Sequence, residues 1–177
     1  MGDRWIPDNL MRSTYIWLPL ELTGGTNIWL RNRNSWVPNI AGGSWSVSPT
    51  ERSYEGEAGT VRNGARTVSC SGCSGGSAAG YIGGSDGGEL ELRVQSDVAT
   101  RTTLRFRHAN GNTGERTGEV TVNGVTQEVG FLPTGGGQTP GSSAVNVNLV
   151  AGQNTIVVKG SGGSWAADID QVFVPVR

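Results

Sequence analysis

Apolar and polar residues alternate one by one through most of the chain after residue 88, and this pattern constrains the fold more than any other feature. It runs through six segments: residues 89–94, 103–107, 119–122, 144–149, 154–158 and 169–174. Successive side chains of a β-strand point to opposite faces, so these segments are predicted strands with one buried and one solvated face. No stretch sustains a helical apolar period over about ten residues. The sequence therefore predicts an all-β protein, arranged as an antiparallel sandwich or jelly roll.

The composition changes near residue 50, which indicates two segments of different origin. Residues 1–50 hold five of the six Trp and five of the 29 Gly, whereas residues 51–177 hold Trp165 and the other 24 Gly. We predict an N-terminal segment at 1–46, a linker at 47–51 and a domain at 52–177. The first segment has three short strand candidates, at residues 13–18, 26–30 and 35–37. These are too few to bury five Trp, so the segment is expected to be the end of a larger structure.

The charge balance and hydropathy exclude some partners. The net charge is −1 and the isoelectric point is about 5.8, which argues against binding to nucleic acid or to an anionic membrane. No apolar run approaches the roughly 18 residues of a membrane span. The start, Met1-Gly-Asp-Arg-Trp5, does not have the pattern of a secretory signal peptide, so if the protein is exported its signal is expected upstream.

Two pairs of acidic residues stand near the two ends of the second segment. Glu55 and Glu57 open it, and Asp168 and Asp170 lie close to its end. Residues i and i+2 of a strand share a face, so each pair is expected to project its carboxylates the same way. The first and last strands of a sandwich often lie side by side, which would gather these oxygens into a site suited to Ca²⁺. The alternatives are solvated edge-strand charges and a glycosidase-like carboxylate pair, the latter disfavoured because a metal site keeps its carboxylates ionised.

The chain has only two cysteines, Cys70 and Cys73. A redox Cys-x-x-Cys motif usually begins a helix, and no helix is predicted here. A zinc site needs four ligands, and His108 is the single histidine. A local disulfide in an oxidising compartment is therefore favoured, with two free thiols as the alternative.

Several residues suited to sugar recognition fall in predicted loops or at strand ends. They are Tyr81, Asn110, Asn112, Arg116 and Trp165. An aromatic plane can cover the apolar face of a sugar, while amide and guanidinium groups bind its polar rim. The alternatives are core packing for Tyr81 and a plug at the barrel end for Trp165. Nucleophilic catalysis has little support, because no Gly-x-Ser-x-Gly elbow precedes a helix.

Residues 54–174 resemble carbohydrate-binding module family 35 in motifs that follow the family's order. These motifs are Tyr54-Glu-Gly-Glu57, Cys70-Ser-Gly-Cys-Ser-Gly-Gly76, Gly80-Tyr-Ile-Gly83, Ala109-Asn-Gly111 with Arg116, Val122-Asn-Gly124, Gly152-Gln-Asn-Thr-Ile156 and Trp165-Ala-Ala-Asp-Ile-Asp170. The resemblance implies a galactose-binding-domain-like jelly roll that binds sugars through loops at one end. It also implies a structural Ca²⁺ held by Glu55, Glu57 and Asp170. Asp168, beside Trp165, is assigned to the ligand-facing loop.

Residues 1–45 resemble the C-terminal end of a glycoside hydrolase family 43 catalytic domain. The matching residues are Gly2-Asp-Arg-Trp5, Ser13-Thr-Tyr-Ile-Trp-Leu-Pro-Leu20, Trp36 and Gly43-Ser-Trp45. The resemblance implies a remnant of a β-propeller whose general acid and base lie on earlier blades. The chain is therefore expected to lack catalytic residues and not to be an enzyme itself. The pairing of this end with this module resembles exo-β-1,3-galactanases.

Together the two resemblances imply a secreted, Ca²⁺-dependent carbohydrate-binding module that targets a glycoside hydrolase to plant cell-wall polysaccharide. The implied ligands are β-1,3-galactan or arabinogalactan, or a glycan that contains uronic acid. The alternatives are a fragment that itself hydrolyses galactan and a structural, adhesive sandwich without glycan specificity. No oligomeric state is predicted.

Overall fold

A computed structural model describes residues 2–4, 14–25, 27–30, 36–47 and 51–176. The chain divides into two units, Met1–Thr50 and Glu51–Arg177, and the division falls inside the predicted linker. Within the described part of the chain, no helix is long and apolar enough to cross a membrane.

The described residues of the first unit form three two-stranded antiparallel sheets. Their strands are β1 (Gly2–Arg4) with β2 (Thr14–Ile16), β3 (Leu20–Thr23) with β4 (Asn27–Leu30), and β5 (Trp36–Asn39) with β6 (Ser44–Val47). Register pairs Leu20 with Leu30 and Leu22 with Ile28, so these four apolar side chains share one face of the hairpin. All four are more than half exposed. This hairpin therefore presents an apolar face instead of burying it.

The second unit consists of two antiparallel sheets of six and five strands. The six-stranded sheet contains β7 (Glu51–Glu55), β9 (Arg66–Ser69), β10 (Ser77–Gly80), β12 (Thr100–Ala109), β15 (Gly141–Leu149) and β17 (Asp168–Pro175). The five-stranded sheet contains β8 (Thr60–Arg62), β11 (Glu89–Ser96), β13 (Arg116–Val122), β14 (Val125–Phe131) and β16 (Gly152–Gly160). Single turns of 3-10 helix lie at Ser74–Gly76 and Ser161–Gly163. The all-β prediction is confirmed, while the jelly-roll connectivity and the propeller remnant stay predictions.

Inward-facing side chains of both sheets form the core of the second unit. In β11, Leu90, Leu92 and Val94 are buried while their neighbours face outward, as the alternation predicts. Phe106 of one sheet meets Phe131 of the other edge to face, with 6.2 Å between ring centroids. This packing of alternating strands from two sheets makes the second unit a β-sandwich.

The structure corrects two expectations about the acidic pairs. β7 ends at Glu55 and the chain turns at Gly56, so Glu57 does not continue the strand face of Glu55. The turn brings Gly56 N within 2.6 Å of Asp170 O, and a side chain at Gly56 would collide with the Ile169 carbonyl.

At the other end of the domain, Asp168 and Asp170 do not share one environment. β17 pairs Gln171 with Arg107 but Ile169 with His108, so a β-bulge leaves Asp170 without a partner in the ladder. The bulge turns the two carboxylates toward different neighbours. The prediction that Asp168 and Asp170 share one face of the strand is therefore wrong.

Candidate functional site

The first and last strands of the second unit bring three acidic side chains together. β7 pairs with β17, with Glu55 opposite Gln171, as the sequence predicted for the two ends of the domain. Glu55, Glu57 and Asp170 lie close enough for their charges to act on one another. We call these three residues the acidic site.

Neighbouring donors hold two of the three carboxylates. The Ser74 backbone N–H donates to Asp170 Oδ1 at 2.9 Å, and its hydroxyl donates to Glu55 Oε1 at 3.0 Å. Gln171 Nε2 also donates to Glu55 Oε1, at 2.7 Å. Arg107 Nη1 lies 2.9 Å from Asp170 Oδ2 in an ion pair. Ser74 therefore links the strand that opens the domain to the strand that closes it.

The acidic site holds more buried negative charge than its protein partners satisfy. Burial, followed by the charges of Glu55 and Asp170, raises the pKa of Glu57. Burial is also the main cause of the raised pKa of Asp170, although Ser74 and Arg107 oppose it. Among the described residues, Glu55 Oε2 and Glu57 Oε2 are buried without a hydrogen-bond partner. Unsatisfied hard oxygens of this kind fit a cation such as Ca²⁺.

The acidic site is not already arranged as a metal centre. No group of three His, Cys, Asp or Glu side chains within the described ranges has that geometry. Ca²⁺ accepts carbonyl and hydroxyl oxygens and flexible geometry, so the donor set fits the ion if the carboxylates adjust.

A disulfide lies directly before Ser74. Cys70 and Cys73 are bonded, with Cα atoms 5.3 Å apart, which confirms the favoured prediction. Both cysteines are buried in a small cluster with Ala78 and Ala109. The bridge therefore fixes the turn from which Ser74 reaches the acidic site.

Tyr81 and Trp165 form an exposed aromatic pair at the loops after β10 and before β17. Their ring centroids lie 5.9 Å apart in an edge-to-face arrangement, and the side chains are 45% and 42% exposed. The Arg66 guanidinium lies 3.4 Å from the centroid of the Tyr81 ring. The Trp165 indole lies against Gly84, where a side chain would overlap it. Tyr81 itself has a positive φ of 56°, a strained conformation often found at functional sites.

Polar residues surround this aromatic pair. Arg116 donates from Nη1 to Ala166 O and from Nη2 to Asn112 Oδ1, both at 3.2 Å. Burial raises the pKa of Asp168, while the Arg116 charge and a hydrogen bond from the Tyr81 backbone oppose the rise. The structure therefore brings together Tyr81, Trp165, Asp168, Arg116 and Asn112, five of the six residues predicted for ligand contact.

The sixth residue, Asn110, lies beneath the loop. It is fully buried, and its Nδ2 donates to Phe131 O at 2.8 Å and to Gly114 O at 3.1 Å. Its Oδ1 accepts from Asn112 N at 3.0 Å. These contacts favour a supporting role, in which Asn110 positions Asn112, over the predicted direct contact with ligand.

Trp165 and Arg116 also border a cavity of about 530 Å³. We call it the Trp165 cavity; its lining residues are Asn112, Glu115, Arg116, Thr117, Glu128, Ser161, Ser164 and Trp165. Sequence reasoning missed Arg66 and Glu128, which lie in strands that it did not assign, and Glu115, which directly precedes β13. An exposed aromatic wall with several polar groups is suited to a small polar ligand with an apolar face.

Solved structures resemble both the whole chain and its second unit. An exo-beta-1,3-galactanase from Phanerochaete chrysosporium, solved with beta-1,3-galactotriose, is 37% identical with a TM-score of 0.78. The match covers 98% of this chain and 40% of that chain, so the present chain spans less than half of the galactanase. Neither protein-family models nor curated proteins give a match.

Two further similar structures are separate modules. A family 35 carbohydrate binding module from Clostridium thermocellum is 32% identical with a TM-score of 0.63, over 68% of this chain and 96% of that chain. Another, from the same organism, is 26% identical with a TM-score of 0.65, over 72% of this chain and 99% of that chain. The matched shares of this chain are close to the share taken by Glu51–Arg177.

Proposed function

The chain belongs to the family 35 carbohydrate binding modules, and we propose that it binds polysaccharide through the Trp165 cavity and depends on Ca²⁺ for stability. The observation that carries the proposal is Trp165 itself. Its indole is 42% exposed, yet it is held between Gly84 and Tyr81 and borders a polar cavity. An aromatic side chain fixed at a solvated rim can bind a sugar face with little loss of conformational entropy.

The acidic site is the proposed calcium site. Glu55, Glu57 and Asp170 would hold the ion, which would supply charge neutralisation and a link between the first and last strands of the domain. The unpartnered buried oxygens of Glu55 and Glu57 support this assignment. Ser74 and Gln171 both donate to Oε1 of Glu55, which leaves its Oε2 as the oxygen proposed to bind the ion.

The proposed biological role is to hold a glycoside hydrolase at its substrate. Residues 1–46 are proposed to be the C-terminal remnant of a family 43-like catalytic propeller, and the similarity of nearly the whole chain to a galactanase supports this. Binding would raise the effective concentration of an attached enzyme at β-1,3-galactan, arabinogalactan or a related plant cell-wall polysaccharide. The Cys70–Cys73 disulfide supports secretion.

Affinity electrophoresis tests this proposal. The protein should be retarded in gels that contain β-1,3-galactan, with xylan and pectin gels as comparisons, and Trp165→Ala should migrate as in a gel without polysaccharide. Val125→Ala is the matched control, because Val125 is an exposed apolar residue that does not line the cavity. Folded protein that none of the three polysaccharides retards, with Ca²⁺ or with chelator, would contradict the proposed function.

A further inference from the structure

The Trp165 cavity carries an excess of negative charge. Of the residues that the structure describes, two carboxylates, Glu115 and Glu128, and one cationic side chain, Arg116, line it. Within the part of the chain that the structure describes, no ion pair neutralises either glutamate. The charge of any bound sugar must therefore be compatible with these two groups.

Arg116 is already engaged by the loops around the cavity. Each of its Nη atoms already donates a hydrogen bond, one to Ala166 O and one to Asn112 Oδ1. The Asp168 carboxylate lies close enough for the two charges to interact. The guanidinium has five N–H donors, of which two serve the loops, while the buried Nε–H has no hydrogen-bond partner among the described residues. The positive charge of Arg116 is nevertheless already opposed by Asp168 before any ligand enters the cavity.

Both glutamates are exposed carboxylates that line the cavity. Ser161 Oγ donates to Glu128 Oε1 at 2.5 Å, and the Glu115 carboxylate lies across Gly130, where a side chain would collide with it.

A third carboxylate adds to the negative charge beside Glu128. Glu119 stands opposite Glu128 on the neighbouring strand. Lys159, which stands opposite Glu119 on its other side, makes an ion pair with Glu89 at 2.8 Å. Carboxylates therefore outnumber the cationic side chains in and beside the cavity.

We propose that Glu115 and Glu128 make this cavity select uncharged sugar residues over uronic acids, an inference that rests on the proposed carbohydrate-binding function. Carboxylates accept charge-assisted hydrogen bonds from sugar hydroxyls. The same groups repel a ligand carboxylate, and such like-charge contact is an efficient way to reject a wrong partner. Of the two implied ligand classes, neutral galactan is therefore favoured over a glycan that contains uronic acid.

Calorimetric titration of the whole chain with two matched disaccharides tests the inference. The ligands are β-1,3-galactobiose and the disaccharide in which galacturonic acid, which differs from galactose only by oxidation at C6, replaces its terminal galactose. At low salt the wild type should prefer the neutral disaccharide by about tenfold. The Glu115→Gln/Glu128→Gln double variant should lose most of that preference, because the repulsion is gone while shape is kept. Near 1 M salt the wild-type preference should shrink, since screening acts over about 3 Å there.

Asp97→Asn is the control variant. It also removes a carboxylate, but Asp97 follows the end of β11 that is opposite to Glu89 and Lys159. It should leave the preference for the neutral disaccharide unchanged. Titrations are run with Ca²⁺ and with chelator. A wild-type preference for the galacturonic acid disaccharide in either buffer, or an unchanged preference in the folded double variant, would overturn this inference and leave the proposed function standing. Failure of the wild type to bind either disaccharide or any galactan would overturn both.

Discussion

Among the described residues, Trp165 is the one aromatic side chain that lines the cavity, so its removal separates recognition from folding. Trp165→Ala should weaken glycan binding by about 2 kcal/mol, roughly thirtyfold, because the stacking surface is lost. Asp168→Ala should also abolish most binding, since Asp168 holds the Tyr81 backbone and faces Arg116. Calorimetry measures the affinity, and the melting shift on adding Ca²⁺ should stay intact in both variants. Loss of that shift together with binding would show that the two sites are not separate.

His108 is expected to make the fold sensitive to acid. It is buried against Phe131, with 5.0 Å between ring centroids, and burial lowers its pKa from the ordinary 6.5. A depressed histidine pKa means that the unfolded chain takes up the proton first. Stability should therefore fall as the pH drops below about 6.5, by at most about 1.4 kcal/mol for each pH unit.

Urea unfolding at about pH 7.5 and pH 5, on wild type and His108→Gln in chelator, measures this sensitivity. The carboxylates contribute equally to both proteins, so the difference between them isolates His108. Equal acid sensitivity of the two proteins would contradict the prediction.

At the residue scale, the sequence identifies candidate binding residues when their residue type alone is informative. Tyr81 and Trp165 are aromatic residues in loops, and such residues can be identified without knowing their neighbours. Glu115 and Glu128 became visible only when the pairing of β13 with β14 placed them at one cavity. The burial of Asn110 was not predicted, because it depends on contacts with Gly114 and Phe131 that local sequence does not encode.

At the scale of elements, the acidic site is expected to join β7 to β17 through a metal ion. Ca²⁺ that binds only the folded state raises the melting temperature by mass action. Glu57→Gln should remove most of that rise, whereas Glu119→Gln, a charge removal on the other sheet, should keep it. Differential scanning calorimetry of metal-free protein with and without Ca²⁺ makes the comparison.

The same rise should depend on pH in a defined direction. Because the pKa values of Glu57 and Asp170 are raised in the folded protein, these groups favour the metal-free fold at low pH, and that contribution is lost as the pH rises through the raised values. Ca²⁺ needs the ionised carboxylates. The calcium-induced shift should therefore be small near pH 4.5 and grow toward neutrality. A shift that is independent of pH would contradict the assignment of these carboxylates as ligands.

Strands with strict alternation were predictable, and the strands without it were not. β11, β12, β13, β15, β16 and β17 cover the six predicted segments. β14 was missed because only Val129 and Phe131 of its seven residues are buried, as befits an edge strand. The turn at Gly56 and the bulge at Asp170 were missed because both arise from close approach of β17 to its neighbours.

At the scale of the whole molecule, the first unit should control association. It exposes apolar side chains on the β3–β4 hairpin and at Trp17 and Ile40, and contiguous apolar surface of this kind promotes association. Deleting residues 1–50 should lower the mass measured by light scattering at high concentration while leaving the calcium-induced melting shift unchanged. If the full chain is monomeric throughout, the exposed face is not an associating surface.

The second unit, residues 51–177, contains a single tryptophan, Trp165, so its fluorescence reports directly on the proposed binding site. Titration of this unit with β-1,3-galacto-oligosaccharide should change the Trp165 emission in a saturable way, because the sugar would replace water on the indole. The half-saturation point should agree with the calorimetric affinity and be shifted to higher concentration by Arg116→Ala. Emission that stays constant up to millimolar oligosaccharide, while the unit is folded, would contradict carbohydrate binding at Trp165.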